Sequence, residues 1–254
     1  MAEKLIVPRS AIAASRYKND ESAFLAGGTE INRLNSYVEA QTLICIGRLG
    51  LDSINDAEID GKSWVRVGAT ATFTDCIENP KVPEYFKQAC RFMSSMVKRN
   101  MATVGGNVAN HRDDSYLIPT LVASGALVEF STEKVITVKE YYLRHYRHKN
   151  KLIVAIYLDP AAVVKSKRYS NTAAGHGYVT VSICENRVAV QIKGAGLIDT
   201  SKLENHKDRS EAYCLDWANK IRARDIRSDM YGSEEYKRYL AGVTVAMLSK
   251  EVSR

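Results

Sequence analysis

Ala102-Thr103-Val104-Gly105-Gly106-Asn107-Val108-Ala109-Asn110 sets two adjacent glycines and three short polar side chains among small apolar residues. Glycine lacks a Cβ, so the backbone can turn tightly and expose N–H groups that together form a concave nest for anionic oxygens. Thr and Asn add donors without bulk. The composition points to a phosphate-bearing ligand. A stretch of the same kind lies upstream, Phe24-Leu25-Ala26-Gly27-Gly28-Thr29-Glu30-Ile31, where an apolar run reaches a Gly-Gly turn and ends in a hydroxyl and a carboxylate. Two such loops suit a diphosphate held between them. Neither carries the Lys-Ser or Lys-Thr of a Walker loop or the Gly-x-Gly-x-x-Gly of a dinucleotide-binding turn. A Gly-Gly pair also serves as a plain turn between strands, so the residues alone leave both readings open.

Hydrophobic patterning places the loops. Residues 5–7 read as a short strand, 10–16 as a brief helix and 22–26 as a strand running directly into the first Gly-Gly turn. Residues 42–46 form another strand, and 57–59 with 63–67 a hairpin around Asp60-Gly61. Helices are expected over 73–78 and 84–93, separated by Pro80 and Pro83, and over 115–124 after the second loop. Strands follow at 126–130, 135–138, 152–158, 165–169, 179–183 and 188–192, the last two joined by a turn at Glu185-Asn186. A helix opening at Asp208, with Glu211 completing a capping box, and a second from about Ser233 close the chain. The second shows Tyr236, Tyr239, Leu240, Val243 and Met247 at helical spacing, which reads as a core stripe. The order is that of an α+β protein, with its best boundary at the basic run of residues 144–151: a domain over 1–145 and another over 146–254.

At 254 residues and 45% hydrophobic content the chain can bury a sizeable core. No apolar run approaches the ~18 residues that cross a bilayer, and the opening residues do not resemble a secretory signal, so a soluble, cytoplasmic protein with no membrane partner is expected. Cys45, Cys76, Cys90, Cys184 and Cys214 are scattered, without the C-x-x-C spacing of a metal or redox site, and read as reduced thiols. The net charge of +7 concentrates at Arg144-His145-Tyr146-Arg147-His148-Lys149-Asn150-Lys151, at Lys165, Lys167 and Arg168, and at Arg222, Arg224 and Arg227. A solvated connector and a docking surface for an acidic partner both fit such runs; no nucleic-acid reading motif accompanies them. No nucleophile–base pairing, metal-binding motif or triad is recognisable among His111, His145, His148, His176 and His206, so no catalytic and no metal-ligating residue is assigned. A chain with a cofactor cradle and no reactive constellation of its own delegates the chemistry to the ligand.

The two loops resemble the paired flavin-binding loops of the FAD subunit of molybdenum hydroxylases, the family of xanthine dehydrogenase and carbon monoxide dehydrogenase. The patterns are A-G-G-T-[DE]-[LI], standing here as Ala26 to Ile31, and R-N-x-A-T-[IV]-G-G-N-[IV]-A-N, standing here as Arg99 to Asn110. Val65-Arg66-Val67-Gly68-Ala69 and the segment from Gly232 to Val243 agree with weaker signatures of the family, so the resemblance spans almost the whole chain.

The resemblance implies a two-lobed FAD-binding domain of the vanillyl-alcohol oxidase (PCMH) type, followed by a smaller C-terminal domain with an antiparallel sheet and packed helices. It implies FAD contacts from Leu25, Ala26, Gly27, Gly28, Thr29, Glu30 and Ile31, and from Ala102, Thr103, Gly105, Gly106, Asn107, Ala109 and Asn110. Backbone N–H groups of Ala26 to Thr29 and of Gly105 to Asn107 are expected to face the pyrophosphate. It implies partners that hold molybdopterin and [2Fe-2S], with NAD or another compound as electron acceptor. Relatives continue after the second loop with Ala-Ser-Pro-x-x-Asp; here His111-Arg112-Asp113-Asp114-Ser115-Tyr116 puts Tyr116 at the aspartate's position, and Asp114 could supply the carboxylate. Lys98 replaces an apolar residue, and Lys167 stands where relatives often carry a basic residue near the flavin. A flavin-free scaffold of the same fold and a free-standing flavoreductase remain as alternatives.

Overall fold

In the computed structural model, parallel pairing opens the chain: β1 (Lys4–Ile6) and β2 (Ser22–Leu25) both run parallel to β3 (Thr42–Cys45), in the order β1-β3-β2. The structure describes residues 2–33, 36, 39–148, 150–222 and 226–252, so Lys149 and Arg224 of the basic runs lie outside the described residues. The connection from β1 to β2 is α1 (Ala11–Tyr17), started by Ser10, whose Oγ accepts from the Ala13 N–H at 3.1 Å. Ala14, Ile44 and Ile46 bury against Leu152 and Val154, and Ala26 packs on that cluster, which anchors the first glycine loop at its strand end.

β4 (Ile54–Ile59) and β5 (Lys62–Gly68) form the expected hairpin. Asp60 and Gly61 have φ of 51° and 76°, the pair of positive angles that a two-residue turn needs to match strand twist. α2 (Phe73–Glu78) carries a reciprocal capping box between Thr72 and Asp75. The chain then contributes α3 (Glu84–Arg91) to a second compact unit and returns for two short helices, α4 (Met96–Arg99) and α5 (Val104–Ala109). It leaves again for α6 (Ile118–Ser124), buried at every position and ended by Gly125 at φ 75°. β6 (Leu127–Phe130), β7 (Val135–Thr137), α7 (Val138–Leu143) and β8 (Ile153–Leu158) complete the first unit.

That unit comprises Met1–Pro83, Ser95–His111 and Ala126–Pro160. Its larger sheet is antiparallel in the order β4-β5-β8-β6-β7. All six residues of β8 are buried, as a central strand of alternating Ile, Val and Ala with Tyr157 requires. The compact units therefore do not follow a single cut at 145/146, since β8 belongs to the first unit's sheet.

The second unit gathers Glu84–Ser94, Arg112–Gly125 and Ala161–Arg254. Its sheet, β12-β11-β10-β9, is antiparallel and consists of β9 (Lys165–Tyr169), β10 (Val179–Cys184), β11 (Arg187–Ile192) and β12 (Gly196–Leu197). α8 (Ser201–Glu204), α9 (Glu211–Asn219) and α10 (Glu234–Val252) follow. The core joins Val179, Val181, Ile183, Val188 and Val190 to Trp217 and Ala218 of α9 and to Leu240, Ala241, Val245 and Leu248 of α10. Two expectations need correction here. α9 starts three residues later than Asp208, because Ser210 is the cap and the Asp208 carboxylate accepts from the Ser210 N–H at 2.8 Å. Nor is the whole stripe of α10 core: Tyr236 and Tyr239 are 44% and 51% exposed, while Leu240 of the stripe is buried with Ala241, Thr244, Val245 and Leu248, and Met247 packs partly against that core.

Candidate functional site

The first glycine loop leaves the carboxyl end of β2. The Leu25 carbonyl still belongs to the sheet, accepting from the Ile46 N–H at 2.9 Å; beyond it the backbone N–H groups of Gly27, Gly28 and Thr29 donate to no acceptor among the described residues. Gly28 has φ of 70°, and a left-handed residue within such a run turns successive N–H groups toward one side, the geometry of an anion nest. All three residues are half-buried, so the donors remain reachable. The carbonyls close the turn instead, Gly28 accepting from the Asn32 N–H at 3.0 Å and Glu30 from the Arg33 N–H at 3.1 Å. The Glu30 carboxylate pairs with the Arg33 guanidinium at 3.3 Å, which offsets its charge beside the nest.

The second loop is built differently. Thr103 caps α5, its Oγ1 accepting from the Gly106 N–H at 3.2 Å and its carbonyl from the Asn107 N–H at 2.9 Å. The Val104 N–H donates to the Ala71 carbonyl at 3.0 Å and the Gly105 N–H to the Ala69 carbonyl at 2.8 Å. The N–H groups expected to face a pyrophosphate from Gly105 to Asn107 are thus already engaged inside the chain. The reason is packing: a Cβ on Gly105 would stand 2.6 Å from the Ala69 Cβ and 2.8 Å from its carbonyl oxygen. What this loop offers outward is side chains, with Asn107 half-buried and Ala109 and Asn110 exposed.

Gly27 joins the loops. A Cβ there would fall 1.5 Å from the Met101 carbonyl oxygen, so the first loop lies backbone to backbone against the entry of the second. Leu25 to Ile31 and Ala102 to Asn110 are in this way brought together in the first unit. Lys98, on α4, is exposed.

Asp114 and Lys167 belong to the second unit. Lys167 is exposed on β9, its Nζ 5.7 Å from the Tyr169 ring centre. The Asp114 side chain is fully buried. Arg112 grips it through Nε at 2.6 Å and Nη2 at 2.8 Å, with Lys193 Nζ at 3.5 Å and His176 Nδ1 at 3.7 Å. Burial by itself would raise the Asp114 pKa, but the hydrogen bond from Arg112 and the surrounding charge outweigh it and hold the carboxyl below its ordinary value. Burial pushes the His176 pKa down and the Asp114 charge only partly opposes it, while Arg112 and Lys193 set cations beside the carboxylate. Tyr116 is buried with its ring 4.8 Å from that of His176. Asp114 is therefore the counter-ion of a cationic cluster. Arg112, His176 and Lys193 had no signature in the sequence, since the three lie far apart along it.

The sequence model of the family described as FAD binding domain in molybdopterin dehydrogenase matches residues 3–160 of this chain. The chain belongs to that family. Both glycine loops fall within the match. Over 98% of its length the chain is 26% identical to the uncharacterized protein YgfM of Escherichia coli (strain K12), of which the alignment covers 95%. The fold is that of a carbon monoxide dehydrogenase chain from Hydrogenophaga pseudoflava, with TM-score 0.80, 18% identity, and coverage of 97% of this chain and 96% of that one. A quinoline 2-oxidoreductase chain from Pseudomonas putida 86 superposes with TM-score 0.78 at 17% identity, covering 100% and 97%. The mixed helix and sheet architecture with antiparallel sheets agrees with the fold class expected from the sequence. Among the described residues no helix is long and apolar enough to cross a membrane, and no disulfide joins the cysteines.

Proposed function

We propose that this chain is the FAD-binding, electron-transferring subunit of a multi-subunit molybdopterin-dependent dehydrogenase of the cytoplasm. It would take electrons from a [2Fe-2S] partner and pass them to NAD⁺ or another acceptor. One observation carries the reading: the run of unengaged, reachable backbone donors at Gly27, Gly28 and Thr29, inside the stretch matched to an FAD-binding family. The donor set fits a diphosphate, whose oxygens only accept. In this reading the first loop, Leu25 to Ile31, binds phosphate oxygen through those N–H groups and the Thr29 hydroxyl. Ala102, Thr103, Gly105, Gly106, Asn107, Ala109 and Asn110 shape the second wall, with the Asn107 and Asn110 amides as its outward donors. Asp114 serves its own unit as the buried counter-ion of Arg112 and Lys193. FAD, when bound, supplies the uptake and release of hydride or single electrons. The chain's own residues bind and orient it; substrate oxidation belongs to the molybdopterin partner.

The test is direct. Purified protein reconstituted with excess FAD is expected to be yellow and to release FAD rather than FMN on denaturation. Absence of flavin after reconstitution overturns the reading in favour of a flavin-free scaffold, which has one observation on its side, the inward engagement of the second loop's N–H groups. The isolated chain is expected to reduce artificial dyes with NADH slowly at most. Brisk turnover of an organic substrate by it alone would favour a free-standing flavoreductase.

A further inference from the structure

Arg209 is a cation set among carbonyls. Its Nε donates to the Leu203 carbonyl at 3.3 Å, Nη1 to that of Glu185 at 3.0 Å and Nη2 to that of Asn186 at 2.8 Å. These bonds tie the segment between α8 and α9 to the turn joining β10 and β11. The side chain is half-buried, and burial pulls its pKa below the ordinary value. Hydrogen bonds to neutral carbonyls fix a guanidinium without neutralising it, and they leave two of its five N–H groups unused. Among the described residues no carboxylate forms an ion pair with Arg209. The neighbouring ones are engaged elsewhere: Asp208 accepts from the Ser210 N–H at 2.8 Å and from its hydroxyl at 3.2 Å, and Glu204 accepts from the Val188 N–H at 3.3 Å.

An open cavity of about 600 Å³ lies against Arg209, walled by the Glu185-Asn186 turn, by His206, Lys207 and Ser210, and by Ser249 and Lys250 near the end of α10. That volume is in the range of small-molecule sites. Lys207, Arg209 and Lys250 line it against one carboxylate, Glu185, and neither lysine has an ion-pair partner among the described residues. The His206 ring is also held, stacked on Tyr213 at 4.0 Å between centres with Nδ1 against the Asp208 backbone, so that Nε2 stays unused. Three positive charges around a hollow, one of them half-buried, are short of negative charge. A compact dianion supplies it, because phosphate oxygens accept from guanidinium and ammonium groups together, and such charge-assisted bonds are the strong ones. The rest of the volume has room for the organic part of a phosphate ester.

We propose that this cavity of the second unit binds a phosphate group, free or as the monoester of a small metabolite. The proposal is independent of the FAD reading, whose two glycine loops belong to the first unit.

The experiment follows the backbone amide resonances of the isotope-labelled, full-length protein during titration with inorganic phosphate and, separately, with glycerol phosphate, sodium chloride holding the ionic strength constant. Saturable shifts are expected at Asn186, Lys207, Arg209 and Lys250. Tighter binding of glycerol phosphate identifies a monoester as the source, and equal binding identifies the free ion. Lys207 and Lys250 are exposed, so Lys207→Glu with Lys250→Glu should fold, as circular dichroism verifies. That double variant is expected to lose at least about tenfold in affinity for both probes. The charge-matched control Lys165→Glu with Lys202→Glu, at exposed positions outside the cavity, should stay within about twofold of wild type. Shifts that never saturate, or equal losses in the two double variants, would overturn the proposal by reducing the effect to a diffuse ionic atmosphere. Saturable shifts confined to Gly27, Gly28 and Thr29 would overturn it as well, while leaving the FAD reading intact.

Discussion

Gly27 and Gly105 are glycine for reasons internal to the chain. The carbonyl of Met101 and the backbone of Ala69 occupy the space a side chain would need, and neither can move without moving the elements they belong to. Gly27→Ala is therefore expected to cost about 2 kcal/mol or more, read as a lowered urea midpoint at unchanged slope. An equal midpoint would show that the loops are not in contact. The histidines give a pH dependence. Burial lowers the pKa of both His148 and His176 below the ordinary 6.5, so the unfolded chain binds more protons than the folded one as pH falls through that value. Stability from these two is complete above about pH 6.5 and is lost as pH drops toward their lowered folded values. Urea midpoints at pH 7.5, 6 and 5 check this, and His148→Phe, which keeps the stacking on Phe130, should flatten the slope. At this scale the sequence made the glycine pairs legible, and their order and spacing sufficed for the family. It could not separate a glycine that faces a ligand from one that faces a neighbouring carbonyl, because that depends on which backbone folds against it. Asp114 was legible as a carboxylate near the loop, but not as the partner of Arg112 and Lys193.

Elements were read most reliably where periodicity and turn chemistry agreed. The Asp60-Gly61 hairpin came through on its positive-φ turn residues, and the run of Val179 to Ile183 on alternation and β-branched content. α5 was read as a loop, since glycines are poor helix formers; a single turn capped by Thr103 and held by Ala69 and Ala71 overrides that preference. α10 shows the opposite failure. Its tyrosines share a helical spacing with Leu240, yet Leu240, Val245 and Leu248 join the core while Tyr236 and Tyr239 stay exposed. Leu240→Ala should accordingly destabilise the protein by about 2–4 kcal/mol, whereas Tyr239→Ala should stay within about 1 kcal/mol. Chemical denaturation of the two variants decides it, and comparable losses would reverse the assignment of faces.

Over the whole molecule the two units interleave, each assembled from three separate stretches of chain. Neither is removable by one cut. A fragment from residue 161 onward lacks α6, which packs on β10 and β11, and should give a poorly dispersed NMR spectrum and weak near-ultraviolet dichroism; a well-dispersed spectrum would mean that α6 is dispensable. The five-stranded sheet carries a related consequence for synthesis. Its central member is the last to be made: β5 ends at Gly68 and β6 at Phe130, but β8, which pairs with both, is complete only at Leu158. At ~5–20 residues per second a ribosome needs roughly 5–20 seconds to go from the end of one hairpin to the strand that closes it. During that interval the nascent chain presents first one bare strand edge and then two, and bare edges are where chains stick to one another. Yield of folded protein in a cell should thus rise when elongation is slowed after residue 158 rather than before it, or when a chaperone shields the nascent chain until β8 has emerged.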